Sequence, residues 1–169
     1  MKDDALWYEA AHVVGITNAL NVIADGLETA PLAPVEESRA DGELAETFTE
    51  IRAFYARTDV PVPFRLVAHD PAYARDVWLA ARRAFDDNRL PRRLKESLAF
   101  AVSLTSRSRF GSGFHLGEMR RLGVSDRGVM EVLGVTQMFS SYTKIADTLQ
   151  LEPDMGDIAP EDPTPAPGV

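Results

Sequence analysis

The stretch that decides the fold reads Glu96-Ser97-Leu98-Ala99-Phe100-Ala101-Val102-Ser103, then Ser108-Arg109-Phe110-Gly111-Ser112-Gly113-Phe114-His115, then Arg121-Leu122-Gly123-Val124-Ser125-Asp126. Phe100 and Ser103 follow Glu96 at helical spacing, and Met119 and Leu122 follow His115 in the same way. Each ionisable side chain is thus expected on a partly apolar helix face. A buried carboxylate without a partner is expensive, so Glu96 is expected to have one. Leu122-Gly123 reads as a helix end, with glycine as the left-handed cap, and Ser125 as the cap of the next helix.

Working outward, the chain reads as helix after helix. Val13, Ile16, Leu20, Ile23 and Leu27 form one stripe between Trp7 and Leu27, and Pro31 and Pro34 follow as a linker. A second helix is expected over 42–57 with Leu44, Phe48, Ile51 and Tyr55 inward. Pro61 and Pro63 then predict an extended connection. Asp70-Pro71 is a helix start, because aspartate caps free N–H groups and proline at the first position gives up a donor the helix does not use. Its buried side is expected to carry Ala74, Val77, Trp78, Ala81 and Phe85. Pro91 opens a fourth helix with Leu94, Leu98, Ala101 and Thr105 as the predicted inner face. The last helix should run from Ser125 to Leu149 through Leu133, Met138, Tyr142 and Ile145, and no convincing strand alternation is present.

The 169 residues suit about one domain, and they contain no cysteine, which excludes thiolate catalysis, cysteine metal sites and dithiol cycling. The net charge is -8. Residues 151–169 hold five acids, five prolines and no Lys or Arg, and read as a disordered acidic tail that leaves residues 1–150 nearly balanced. An acidic chain lacks the basic footprint of a nucleic-acid binder. No apolar run approaches the roughly 18 residues that suggest a membrane span, and no signal peptide precedes the first helix, so a soluble, cytoplasmic protein is expected. His12 and His69 read as structural, and no histidine spacing suggests a metal site. Arg82, Arg83, Arg89, Arg92, Arg93 and Lys95 cluster near one helix turn and could hold a small acidic ligand or simply pair with Asp86 and Asp87.

The quoted segments, with Pro71-x-x-Ala74-Arg75, Leu90-Pro91-x-x-x-Lys95-Glu96 and the run from Arg120 to Asp126, resemble the alkylhydroperoxidase D-like, or carboxymuconolactone decarboxylase, family. The resemblance spans about 61–149. It implies an all-α, alkylhydroperoxidase D-like helical bundle that self-associates as a dimer, trimer or hexamer. The domain plan that follows is an N-terminal helical extension over 1–60 packed on a family-like core over 61–150, and the tail over 151–169. In the family's redox branch a glutamate and a histidine relay a proton to a C-x-x-C pair. Placed from Glu96, the histidine falls on His115 and the two cysteines on Ser108 and Gly111, so the thiol chemistry is missing from this sequence.

What remains is a divergent relative that is either non-catalytic or works without cysteine. Glu96 and His115 are the catalytic candidates, with Ser108 vestigial or a candidate beside them, and Arg107, Arg109 and Phe110 are candidates for substrate contact. No cofactor is implied. One reading keeps Glu96 and His115 as acid and base of a decarboxylase or lyase on a small carboxylate. A Ser108-His115-Glu96 hydrolytic triad lacks the strand-turn-helix elbow such a nucleophile uses, and a dehalogenase-like role for Asn18, Asn21 and Asp25 rests on residue type alone. The competing reading treats Glu96 and His115 as an inherited, buried hydrogen-bonded pair.

Overall fold

The computed structural model describes residues 4–28 and 32–151, and among these every regular element is helical. The elements are α1 (Asp4–Glu28), a 3-10 turn at Glu37–Arg39, α2 (Gly42–Tyr55), α3 (Val62–Val67), α4 (Pro71–Phe85), α5 (Arg92–Thr105), α6 (Arg109–Arg121) and α7 (Asp126–Leu149). Residues 152–169 of the tail expected over 151–169, Pro31, and the side chain of Leu27 lie outside the described residues.

Sequence explains most starts and stops. Asp70 accepts a hydrogen bond from Tyr73 N–H, Ser108 from Gly111 N–H and Ser125 from Gly128 N–H, so three helices begin on side-chain caps. Gly123 follows α6 at φ +82°, the left-handed conformation that glycine adopts without steric cost. The extended connection expected at Pro61 and Pro63 is instead the short α3. Pro61 stands just before the helix and Pro63 in its first turn, where a backbone N–H has no helical partner to lose.

The largest core cluster lies under α2, α3 and α4. Leu44, Phe48, Ile51 and Tyr55 from α2 face Ala74, Val77, Trp78 and Ala81 from α4, and all are buried as their spacing predicts. Trp78 meets Phe64 edge-on at 5.9 Å and donates its indole N–H to Glu50 at 2.9 Å, so its polar atom is satisfied at the edge of the packed rings. Helix α1 crosses this assembly and contacts α3, α4, α5 and α6 through a stripe of Val13, Thr17, Leu20, Asn21 and Ala24.

Helix α5 departs from expectation. Its buried residues are Lys95, Glu96, Ala99, Phe100 and Ser103, whereas Leu94 and Thr105 are exposed and Leu98 and Ala101 only half-buried. The helix is rotated because its polar residues meet partners: Lys95 pairs with Glu9, Glu96 with His115, and Asn21 donates to Ser103. Helix α7 runs the expected length, but within this single chain only Val129 is buried. Met138, Phe139 and Tyr142 remain 52%, 66% and 59% exposed.

Candidate functional site

Helices α5 and α6 form an antiparallel hairpin that places Glu96 opposite His115. Nδ1 of His115 lies 2.7 Å from Oε2 of Glu96, with Glu96 fully buried and His115 only 3% exposed. An ionised carboxylate can only accept, so Nδ1 is the donor when Glu96 is charged. The imidazole stacks on Phe85 at 5.7 Å and meets the edge of Phe114 at 5.3 Å, which fixes its plane. Its Nε2 takes no hydrogen bond from the described residues and is not among the fully enclosed unpartnered atoms.

Two residues that the sequence reading left outside the site complete it. Arg92, one turn before Glu96, was expected in the surface basic cluster, yet its guanidinium turns inward. It reaches Glu96 Oε1 at 3.4 Å, Glu118 Oε2 at 3.1 Å and the carbonyl of Phe54 at 2.9 Å, and lies 3.9 Å above the Phe54 ring centroid. Glu118 is buried as well, and receives Arg121 at 2.6 Å. The network thus alternates two carboxylates with two guanidiniums, which offsets the desolvation of each. Burial first, and then the charges of Glu96 and Glu118, hold the Tyr55 hydroxyl well above its usual range, so it stays protonated beside the cluster. The signals for Arg92 and Glu118 were their helical offsets, four before Glu96 and three after His115.

The other candidates sit apart from the pair. Ser108 is buried at the N-terminus of α6, two turns before His115, with Oγ occupied by Gly111 N–H at 2.9 Å. Arg107 lies in the α5–α6 turn at φ +60° and lines a groove of about 440 Å³ against α7, and Arg109 is exposed. Phe110 stacks on Phe114 at 5.5 Å, and so touches the ring that touches His115. Lys95 is buried against Glu9 and the carbonyl of Asp86, leaving the basic cluster two members smaller than expected with Arg92 also withdrawn. His69 donates from Nε2 to the carbonyl of Ala33 at 2.9 Å.

The position of the expected second cysteine is occupied from another helix. A Cβ on Gly111 would lie 2.1 Å from Asn21 Oδ1 and 2.4 Å from Ser103 Oγ, so any side chain there requires Asn21 and Ser103 to shift. Asn21 in turn donates to Ser103 at 3.1 Å and Ser106 at 3.2 Å. Asn18 and Asp25 line a depression of about 380 Å³ on the outer side of this contact. No group of three potential metal ligands occurs among the described residues.

Comparison with known proteins bears on the fold. Residues 71–151 match the family model described as the carboxymuconolactone decarboxylase family. The fold is similar to that in a crystal structure of the alkylhydroperoxidase AhpD core from Rhodospirillum rubrum, with a TM-score of 0.69 and 21% identity over 75% of this chain and 95% of that one. No curated protein matches the chain. Among the described residues, no helix is long and apolar enough to cross a membrane.

Proposed function

We propose that the chain, whose residues 71–151 match the carboxymuconolactone decarboxylase family model, is a cysteine-independent relative in which Glu96 and His115 act as a buried strut and function runs through binding and self-association. The observation that carries this reading is the enclosure of Glu96. It is fully buried, and its two oxygens are engaged by His115 and Arg92. A carboxylate so held contributes more to joining α5 and α6 than to exchanging protons with a solute. The exposed apolar residues of α7 support self-association as a dimer, trimer or hexamer, since such a surface is costly to leave in water.

A second reading is favoured by one feature of the same pair. Glu96 holds the imidazole through Nδ1, the arrangement in which an orienting carboxylate leaves Nε2 as the working nitrogen. On that reading the protein is a decarboxylase or lyase for a small carboxylate, with His115 and Glu96 as acid and base.

Glu96→Gln and His115→Ala separate the two. The strut reading expects His115→Ala to cost roughly 3 kcal/mol in urea denaturation, with no turnover by the parent protein across a panel of small carboxylates. A parent turnover that vanishes in Glu96→Gln while its melting temperature is preserved would overturn it in favour of acid–base catalysis. Light scattering should find more than one chain per particle at micromolar concentration, and a monomer would remove the self-association half of the proposal.

A further inference from the structure

One wide cleft among the described residues is lined by no member of the Glu96–His115 network. This cleft, about 1060 Å³, lies between the start of α1 and the C-terminal half of α4 with the turn after it. Tyr8 and Leu79 give it apolar surface, while His12, Arg82 and Arg83 give it polar and cationic surface. Glu9 also lines it, and connects it to the buried Lys95.

We propose that this cleft binds a small organic dianion, carrying a phosphate monoester or two carboxylates on an apolar body, with Arg82 and Arg83 holding the acid groups and Tyr8 and Leu79 covering the body. Arg82 and Arg83 are consecutive in the last turn of α4 and both are exposed. Guanidinium groups offer paired N–H donors that match a carboxylate or phosphate edge. Arg82 shares only a long contact of 3.5 Å with Glu50, and such exposed pairs are readily exchanged for a ligand.

The acidic residue nearest the interior does not oppose an anion. Glu9 accepts from the N–H groups of Arg89 at 3.1 Å and Leu90 at 3.3 Å and is paired with Lys95. Burial alone would raise its pKa, but Lys95 and those amides hold the carboxyl below the usual range, so its charge is already compensated. Partial burial, and then the charges of Arg83 and Lys95, depress His12 below the ordinary histidine value. The part of that depression owed to Arg83 and Lys95 is what a bound dianion would offset. The groups facing His12 are Tyr8 and Glu9 from α1, Arg82, Arg83 and Asp86 from α4 and its end, Arg89 from the turn and Lys95 from α5. Asp86 is the remaining negative charge on the lining.

The test titrates the full chain with phenyl phosphate, phthalate and inorganic phosphate, followed by calorimetry and by the His12 ring resonances in NMR. Both organic dianions should saturate at millimolar concentration and raise the His12 titration midpoint. Arg82→Gln and Arg83→Gln should each weaken binding about tenfold. Arg93→Gln, on an exposed residue outside the lining, should leave binding unchanged. Tighter phenyl phosphate assigns the site to phosphate monoesters, and tighter phthalate assigns it to dicarboxylates. The proposal is overturned if inorganic phosphate binds as well as either organic dianion, if binding survives in both arginine variants, or if His12 does not respond.

Discussion

Lys95 and Glu96 are neighbours on α5, both fully buried, yet they are built into the interior differently. Lys95 joins α5 to α1 through Glu9 and to the end of α4 through the carbonyl of Asp86. Its partner Glu9 is further held by two main-chain amides, so the assembly is a clamp with nothing left to exchange. Glu96 joins α5 to α6 through an imidazole walled by Phe85 and Phe114, whose Nε2 remains unengaged by the described residues. One buried charge sits among partners whose polar atoms are all engaged, whereas the other orients a ring that keeps one nitrogen open. Burial alone therefore does not distinguish a strut from a reactive centre, but the state of the partner's remaining atoms does.

Three experiments press on this comparison. The largest effect is expected on the clamp: Glu9→Ala leaves a buried ammonium without its counter-charge and should cost about 3–5 kcal/mol in urea unfolding. Replacing both partners, as Glu9→Leu with Lys95→Met, should recover most of that loss, because an apolar pair avoids desolvating two charges. A loss from Glu9→Ala below about 1 kcal/mol, the range of an exposed pair, would mean that the clamp does not hold α1.

A smaller effect is expected beside the Glu96–His115 pair. Gly111→Ala forces a methyl into Asn21 and Ser103 and should destabilise by about 1–3 kcal/mol. Gly117→Ala, on the same helix with open space at its Cβ, should instead stabilise by about 0.5–1 kcal/mol. If thermal melting shows the same sign for both, the contact with Asn21 is not what requires glycine at 111.

The smallest effect is the response to acid. Unfolded His12 takes up its proton near pH 6.5 and the folded residue only at lower pH, so acidification through that window favours the unfolded chain. Glu9 behaves in the same direction at lower pH: its stabilisation is present at neutral pH and is lost as pH falls from about the usual 4.5 through the depressed folded value. Urea midpoints measured from pH 8 to below about pH 4 should fall in two steps. Glu9→Gln should shrink the second step, which the depressed carboxyls of Glu50 and Asp59 share, and leave the first in place. A second step of unchanged size in this variant would assign it to those other carboxyls.

The sequence was most legible where burial follows hydrophobicity. The stripes of α2 and α4 are buried residue for residue, and Glu96 and His115, paired by the family resemblance, do meet. It misled on α5, where the apolar Leu94 and Leu98 outscored Lys95 as core, because the residue that makes Lys95 buriable, Glu9, lies on a different helix. Arg92 was concealed for the same reason: a charge density on the chain says nothing of direction until Phe54, Glu96 and Glu118 are seen around it. Arg107 precedes the helix that carries His115 and Arg109 opens it, but their placement in the turn and on the outer surface sends them elsewhere.

The side chain of Asn21 seated over Gly111 also bears on how the chain can vary. Any side chain at 111 would meet polar tips from α1 and α5 at once, so both must yield before anything larger than hydrogen is housed there. Substitution at 111 is thereby tied to compensation at 21 or 103, and the three positions behave as one unit of variation.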